Sequence, residues 1–289
     1  MSETLQKKKI SIAGSSGMVG GALKAYFSTK SEYELFLYDK GQNVGSMEEI
    51  NKADYIYVAV PTPDKEDHGC DTSIVEEVIS EIEDGKVVII KSTVTPGTTE
   101  RIQKENPNLK MLFNPEFLTE ITADQDMSYP DRQIIGYTKE SFNVAQDVMH
   151  QLPLAPFEKI VPVRVAELVK YFGNVWFSTK VVFANQMYDL CEQLEIEYDL
   201  VRDCAAADKR IGKTHLKIWH KGYRGYGDAT VSKCLPKDTK AIIALGKNLN
   251  VPMSLLEEVD KVNEELWEKY GGNSNEDKDT EFTHENNIH

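Results

Sequence analysis

The sequence of 289 residues is long enough for one large or two ordinary domains, and its hydrophobic content of 40% is that of a globular protein. Acidic residues (47) outnumber basic ones (33), and the formal net charge of -14 argues against a surface for nucleic acid or anionic membrane. No run of about 18 apolar residues is present, and residues 1–9 lack the apolar segment of a signal peptide. We expect a cytoplasmic protein without nucleic-acid or membrane partners.

The four cysteines are widely separated and form no CxxC pair: Cys70, Cys191, Cys204 and Cys234. Closely spaced pairs are typical of zinc sites and of disulfide frameworks, so neither is expected. The sequence therefore predicts no metal site.

The chain opens with the pattern of a strand, a glycine turn and a helix. Lys8–Ala13 is an apolar run that predicts a strand, and glycines in a GxxGxxG pattern then lead into an apolar helical stretch. Such glycines let a backbone approach a pyrophosphate at a helix N-terminus, although glycine turns also precede helices that bind nothing. The candidate cofactor residues of this turn are Gly14, Gly17, Met18, Val19 and Gly20.

A carboxylate follows the second predicted strand, at residues 34–38. Asp39 lies where a dinucleotide-binding domain places an acidic residue against the adenosine ribose. Because a carboxylate repels a 2′-phosphate, Asp39 favours NAD over NADP, and the neighbouring Lys40 moderates that preference.

Further strands alternate with helices along the first half of the chain. Strands are predicted at 55–60, Val87–Ile90, 109–113 and 133–136, and helices at 46–49 and 73–82. This alternation predicts an α/β fold with a doubly wound, Rossmann-type parallel sheet, whose ligands lie at the carboxyl ends of the strands. Turn residues that follow predicted strands are candidates for this edge, and they include Asp39, Pro61, Thr62, Thr93 and Glu116.

A long helix is predicted over residues 166–192, which contain no proline and no turn cluster. Apolar residues occur almost all the way round it, which is typical of a helix buried on most sides. Lys170 and Asn174 are four residues apart and therefore share one face. From spacing alone, a lysine that reaches solvent beside a water-bonded asparagine would explain the pair as well as a functional site would.

Sequence blocks from residue 60 onward resemble those of the UDP-glucose and GDP-mannose dehydrogenase family. They are VPTPDKEDHGCDTSIVEEV, IIKSTVTPGTT, NPEFLTE with PDRQIIG, AELVKYFGN, and DKRIGKTHLK followed by CLPKDTKAI. The resemblance covers about residues 8–268. It implies oxidation of a sugar nucleotide alcohol to the acid with two NAD, and UDP-glucose is the first substrate to consider.

The resemblance implies that Cys234, in the CLPKD block, is the nucleophile. The alcohol is oxidised to an aldehyde, the thiolate adds to it, and oxidation of the thiohemiacetal gives a thioester that water cleaves to the acid. Lys233 and Lys237 flank the cysteine and favour its thiolate form. The other cysteines are expected to be inert and buried.

Five more catalytic roles follow from the same resemblance. Lys170 and Asn174 support the oxyanion of the intermediates, which a fixed cation and an amide donor suit. Asp238 and Thr93 hold a water, and Glu116 assists hydrolysis of the thioester.

Substrate contacts are implied at two further regions in addition to Lys170 and Asn174. They are Phe117, Leu118, Glu120, Arg210, Lys217, Tyr226 and Gly227. Surface ion pairs would explain Arg210 and Lys217 almost as well.

Three regions are expected: an NAD-binding domain at 1–155, a helical domain at 156–270 and a disordered acidic tail at 271–289. Family members continue into a second Rossmann-like domain that binds the nucleotide of the substrate, where this sequence has the polar tail. The apolar surface of the long helix is too extensive for one small domain to cover, so we expect a homodimer packed through it.

Two other functions remain open. A single-step dehydrogenase of the β-hydroxyacid type has a similar length, a glycine-rich NAD domain and a helical domain with a catalytic lysine, but it needs no nucleophile such as Cys234. A non-catalytic NAD-binding remnant would need none of Cys234, Lys170 and Glu116, all of which are present.

Overall fold

A seven-stranded sheet forms the centre of the first part of the chain in the computed structural model, which describes residues 7–65, 69–232 and 234–271. The strands of the protein are β1 (Lys8–Ala13), β2 (Tyr33–Tyr38), β3 (Tyr55–Val58), β4 (Asp64–Lys65), β5 (Gly69–Cys70), β6 (Val87–Ile90), β7 (Lys110–Phe113), β8 (Arg132–Tyr137), β9 (Phe157–Pro162), β10 (Trp219–His220) and β11 (Tyr223–Arg224). The order in the sheet is β2-β1-β3-β6-β7-β8-β9.

The predicted doubly wound α/β fold is confirmed, with one difference in strand direction. Neighbouring strands run parallel throughout the sheet except β7 and β8, which are antiparallel and place Phe113 opposite Gly136. The alternation of strands and helices predicted parallel neighbours only. This alternation does not reveal whether two neighbouring strands run parallel or antiparallel. An antiparallel segment toward one edge of a mostly parallel sheet is common.

Successive residues of the central strands pack on opposite faces of the sheet. Val88 and Ile90 of β6 belong to one buried apolar cluster, and Val87 and Ile89 belong to another. Since both faces are covered, β6 can be apolar at every position, as its sequence VVII shows.

Helices cover the sheet and build the rest of the chain. They are α1 (Met18–Ser28), α2 (Met47–Ile50), α3 (Ser73–Ser80), α4 (Thr98–Glu105), α5 (Ala123–Ser128), α6 (Ala145–Met149), α7 (Val163–Gln193), α8 (Tyr198–Ala206), α9 (Leu235–Asn248) and α10 (Ser254–Tyr270), with 3-10 turns at Lys40–Gln42 and Phe142–Val144. The described residues form two units. One contains 7–65 and Cys70–Lys170, and the other contains Gly69, 171–232 and 234–271.

Local sequence signals account for several of these elements. Ser46 caps α2 by accepting a hydrogen bond from the Glu49 backbone N–H at 3.2 Å, as its capping pattern predicts. The predicted long helix is present as α7, whose 31 residues extend over about 46 Å.

α7 is buried on one side in the single chain. The buried face contains Ala166, Lys170 and Asn174 among others, and a row of large apolar side chains on α7 is exposed. This row contains Val165, Leu168, Phe172, Trp176, Phe183 and Leu190. The apolar surface of α7 thus exceeds what one chain covers, as the sequence led us to expect.

The predicted tail at 271–289 lies outside the described residues, apart from Gly271. Within the described part of the chain, the helices are too short or too polar to cross a lipid bilayer. The sheet includes β9 and therefore continues beyond residue 155, where the NAD-binding domain was expected to end.

Two glycines are required by close backbone packing around the turn after β1. Gly14 has a φ of +84°, and a Cβ there would lie 2.4 Å from the Ala59 carbonyl oxygen. A Cβ on Gly20 would lie 2.0 Å from the Gly14 carbonyl oxygen, so only glycine lets the helix approach the turn.

We predict that Gly20→Ala lowers the free energy of unfolding by at least about 1–3 kcal/mol, because backbone must move to admit the methyl group. Gly21→Ala is the matched control, since no atom lies within 4 Å of a Cβ there. Alanine in the interior of α1 should raise stability by about 0.5–1 kcal/mol. Urea unfolding of the two variants measures the difference, and equal stabilities would contradict the packing described.

Candidate active site

The turn after β1 leaves backbone donors at the start of α1. Gly17 is the N-cap of α1, no side chain of the described residues caps it, and the first turn of the helix contains no acidic residue. Unsatisfied N–H groups and the helix dipole together favour an anion at this position. Together with the backbone approach that Gly14 and Gly20 allow, this geometry fits the pyrophosphate of a dinucleotide.

Asp39 lies beside the same turn because β2 is the neighbour of β1. Its carboxylate accepts hydrogen bonds from the Ser16 backbone N–H at 2.9 Å and the Gln42 backbone N–H at 3.1 Å. Lys40 forms an exposed ion pair with Glu77 at 2.8 Å. Asp39 is therefore fixed at the position expected of a carboxylate that binds a ribose.

A cavity of about 610 Å³ adjoins the turn. It is lined on one side by Ser16, Gly17, Met18, Gly21, Ala22 and Ala25, and on the other by residues 120–125. Met18, predicted at the cofactor site, and Glu120, predicted at the substrate site, thus line one cavity. Val19 is not among the lining residues.

The turns after β3 and β6 are joined through a buried cysteine. The Cys70 thiol lies 2.9 Å from the Thr93 carbonyl oxygen and 3.8 Å from that of Thr62. The Ser92 hydroxyl donates to the Val60 carbonyl oxygen at 2.7 Å. Thr62, next to Pro61, and Thr93 therefore lie at the same edge of the sheet, as predicted for residues that follow parallel strands.

A buried ion pair connects the loop after β7 with α7. The Lys170 ammonium donates to Glu116 Oε1 at 2.5 Å, and each side chain is 8% exposed. The other carboxylate oxygen of Glu116 accepts from the Leu118 backbone N–H at 2.8 Å. Lys170 is thus paired inside the protein and does not extend to solvent.

The ionisation of Glu116 depends on its neighbours. Burial alone would raise its pKa, but the charge and hydrogen bond of Lys170, the Leu118 N–H and the charge of Lys91 together lower the pKa below its usual range. Glu116 is therefore a carboxylate at neutral pH.

In the second unit, Asp238 is held by two donors. Its carboxylate accepts from the Asn174 side-chain amide at 2.5 Å and from Lys237 at 2.7 Å, and its side chain is 2% exposed. Cys234 is the N-cap of α9, one turn before Asp238, and is exposed. The charge of Lys237 is thus directed to Asp238, while Lys233 lies outside the described residues.

The remaining predicted substrate residues have different surroundings. Arg210 is exposed and pairs with Asp208 at 2.6 Å, and Lys217 is also exposed. Tyr226 is 3% exposed and donates to Asp260 at 2.9 Å, while the Gly227 carbonyl accepts from Asn263. Tyr226 and Gly227 therefore pack against α10.

The loop that carries Glu116 is supported by an arginine. The guanidinium of Arg132, at the start of β8, stacks over the Phe117 ring with 3.9 Å to the ring centroid. Leu118 is partly buried and packs against the apolar cluster to which buried residues of α1 belong.

Three buried polar residues near the pair were missed by the sequence analysis. Lys91 and Asn114 directly follow β6 and β7, and they are hydrogen-bonded to each other at 2.6 Å. Glu167 of α7 accepts from the backbone N–H groups of Gly97 and Thr99 at the start of α4. For Lys91 and Asn114, the signal in the sequence was a charged or amide residue immediately after an apolar strand.

One prediction about the cysteines was wrong. Cys204 is exposed, since it lies on the outer face of α8.

Comparison with known families agrees with this arrangement. Residues 40–152 match the NAD-binding domain of the UDP-glucose/GDP-mannose dehydrogenase family, and residues 164–265 match the central domain of the same family. The chain therefore belongs to the UDP-glucose/GDP-mannose dehydrogenase family. The match to the family's NAD-binding domain implies NAD as the cofactor, as predicted.

Individual relatives show how much of a family member the chain represents. The UDP-glucose 6-dehydrogenase of Rickettsia bellii is 31% identical over 253 residues, which are 84% of this chain and 56% of the relative. The chain spans about half the length of the curated relatives it matches.

Solved structures give the same fold. The UDP-glucose dehydrogenase of Pyrobaculum islandicum is 28% identical, with a TM-score of 0.77 over 92% of this chain and 70% of that one. The 3-hydroxyisobutyrate dehydrogenase of Mycobacterium tuberculosis has a TM-score of 0.71 at 12% identity, over 91% of this chain and 95% of that one. The second likeness shows the fold alone.

We predict that Lys170→Met lowers the free energy of unfolding by about 3–5 kcal/mol at neutral pH, because Glu116 is left as an unpaired buried charge. In the wild type, the lowered pKa of Glu116 contributes stability above its ordinary pKa that is lost on acidification. In the variant, only the Leu118 N–H and the charge of Lys91 still oppose the effect of burial, so the pKa of Glu116 rises from its wild-type value. The loss should therefore shrink as the pH falls and Glu116 takes up a proton.

Denaturant unfolding between pH 4 and 8 measures this dependence. The control is Lys240→Met, which breaks an exposed pair with Glu264 (side chains 48% and 58% exposed) and should cost less than about 1 kcal/mol. A pH-independent loss in Lys170→Met would show that the pair does not carry the charges assigned to it.

Proposed function

We propose that this protein oxidises the primary alcohol of a sugar nucleotide to the acid, with NAD as hydride acceptor and UDP-glucose as the first candidate substrate. The buried pair of Lys170 and Glu116 supports this proposal most strongly. Two charged side chains removed from water are costly to retain in a binding remnant, and the resemblance of the sequence blocks that contain them to family motifs supports a chemical role for both.

The proposed reaction proceeds through Cys234. When bound, NAD would supply the hydride acceptor, one molecule for each of the two oxidations. The alcohol loses a hydride to the first NAD and its proton to solvent, and the thiolate of Cys234 then adds to the aldehyde carbon. The thiohemiacetal loses a hydride to the second NAD and its hydroxyl proton to solvent, and water displaces the cysteine thiolate from the resulting thioester. The exposed position of Cys234 at the N-terminus of α9 suits a nucleophile, because a helix N-terminus stabilises negative charge.

Two side chains of α7 are proposed to stabilise the oxygen that becomes negative in this sequence. Lys170 and Asn174 are one turn apart on a continuous helix, so their side chains project from the same face. An ammonium and an amide N–H that are fixed before reaction supply the donors that an oxyanion requires.

Water is proposed to be activated by carboxylates. Glu116 is ionised at neutral pH and can accept a proton from water that attacks the thioester. Asp238, held by Asn174 and Lys237, and Thr93 are proposed to position water. Phe117, Leu118, Glu120, Arg210 and Lys217 remain proposed substrate contacts.

We also propose a homodimer that packs through α7. The support is the exposed row of apolar side chains, in which Phe172 is 72%, Phe183 58% and Trp176 53% exposed. Monomers rarely expose contiguous apolar surface on this scale, and a self-complementary helix face suits a two-fold interface.

The reaction is tested by counting NADH formed per sugar consumed with a panel of UDP- and GDP-sugars. We expect two NADH and a uronate from one substrate, and Cys234→Ser should abolish acid formation while NAD affinity stays within about twofold. Cys204→Ser, at the other exposed cysteine, is the control and should behave as wild type. One NADH per sugar would indicate a single-step dehydrogenase, and NAD binding without turnover would indicate a remnant.

The dimer is tested by light scattering at micromolar concentration. The wild type should have twice the mass of one chain, and Phe172→Glu should produce monomers because it places a charge in the apolar interface. Leu154→Glu is the control, since Leu154 is 86% exposed and is not part of α7. A monomeric wild type would refute the proposed interface.

A further inference from the structure

A second lysine is buried beside the Glu116–Lys170 pair. Lys91 directly follows β6, is 4% exposed and donates to the side-chain oxygen of Asn114 at 2.6 Å. Asn114 is fully buried and donates to the Ile134 carbonyl oxygen at 2.8 Å. Because Glu116 is only two residues from Asn114, Lys91 is hydrogen-bonded to the segment that carries Glu116.

The charge of Lys91 also acts directly on both members of the pair. Burial lowers the pKa of Lys91 to about 8, the charge of Glu116 opposes this change, and the charge of Lys170 adds to it. Conversely, the charge of Lys91 contributes to lowering the pKa of Glu116. Lys170 on α7 and Lys91 after β6 therefore both act on Glu116 as cations.

The proposed reaction makes two demands on Lys170. Its ammonium is the main partner of Glu116, and it is also the proposed donor to the substrate oxygen. When that oxygen becomes negative, it shares the charge of Lys170 with Glu116, so the carboxylate is less stabilised and burial favours its protonation. A protonated Glu116 cannot accept a proton from water. A second fixed cation offsets this loss.

We propose that Lys91 is a positioning residue for thioester hydrolysis, which keeps Glu116 ionised and in place while Lys170 interacts with the substrate. This inference rests on the proposed function. The alternative is that Lys91 only ties together the ends of β6 and β7 through Asn114, in which case its hydrogen bond matters and its charge does not.

The test variant is Lys91→Gln, which keeps a hydrogen-bond donor for Asn114 and removes the charge. The acidic limb of the pH profile for acid formation should move up by about one unit, since an opposite charge near Glu116 is lost. At a pH below that limb the rate should fall about tenfold, and at pH 9 it should be close to that of the wild type. Lys91→Arg should retain the wild-type limb.

Two further variants complete the kinetic test. Lys91→Met removes the same charge with an apolar side chain, and it replaces Lys91→Gln if the latter does not fold. Lys104→Met removes the charge of an exposed lysine of α4 and should leave the limb unchanged. An unmoved limb in both neutral Lys91 variants would overturn the proposal.

An equilibrium measurement separates failure of this inference from failure of the proposed function. The pH dependence of unfolding is compared among wild type, Lys91→Gln, Glu116→Gln and the double variant. Stability that the Glu116 carboxylate contributes should be lost at higher pH in Lys91→Gln than in wild type, and this difference should vanish when Glu116 is replaced. If no sugar nucleotide is turned over, the proposed function fails, and this comparison still decides whether Lys91 controls the ionisation of Glu116.

Discussion

The ion pair between Lys170 and Glu116 imposes the strongest physical constraint on this fold. Each buried charge costs several kcal/mol to remove from water, and only the partner and additional hydrogen bonds offset that cost. The pair is retained because α7 presents Lys170 and the loop after β7 presents Glu116, with the Leu118 backbone N–H as a further donor. The same geometry keeps Glu116 ionised although its side chain is buried.

The regular elements could be predicted because their signals are local. The run VVII predicted β6 at its observed bounds, and the absence of proline and turn residues over 166–192 predicted α7. The position of Asp39 could also be predicted, because it depends only on the spacing from the glycine turn. By contrast, β9 has the sequence FEKIVP and is largely exposed, so it carries neither alternation nor a buried apolar run.

Contacts between distant segments could not be predicted from local patterns. Lys170 and Glu116 are separated by 54 positions in the sequence, and Lys91 and Asn114 by 23. The pairing of Lys91 with Asn114 depends on strand order, which places the ends of β6 and β7 side by side. Lys170 and Glu116 could be predicted as separate candidates through family resemblance, whereas Lys91 could not, because no motif role was attached to it.

The second unit changes the interpretation of the residues around Cys234. Lys237 was expected to favour the thiolate of Cys234, and its ammonium also pairs with Asp238, which Asn174 holds. The place of Cys234 at the start of α9 is a further feature that suits the proposed thiolate. Tyr226, expected at the sugar, is a buried anchor for α10 through Asp260.

In the proposed mechanism, Cys234 forms the covalent intermediate and Glu116 promotes its hydrolysis. Mass spectrometry of Glu116→Gln, quenched with acid after mixing with NAD and UDP-glucose, tests both roles. We expect a burst of two NADH per active site and an acyl group on the peptide that contains Cys234. An unmodified Cys234 peptide after that burst, or an acyl group on another cysteine, would contradict this mechanism.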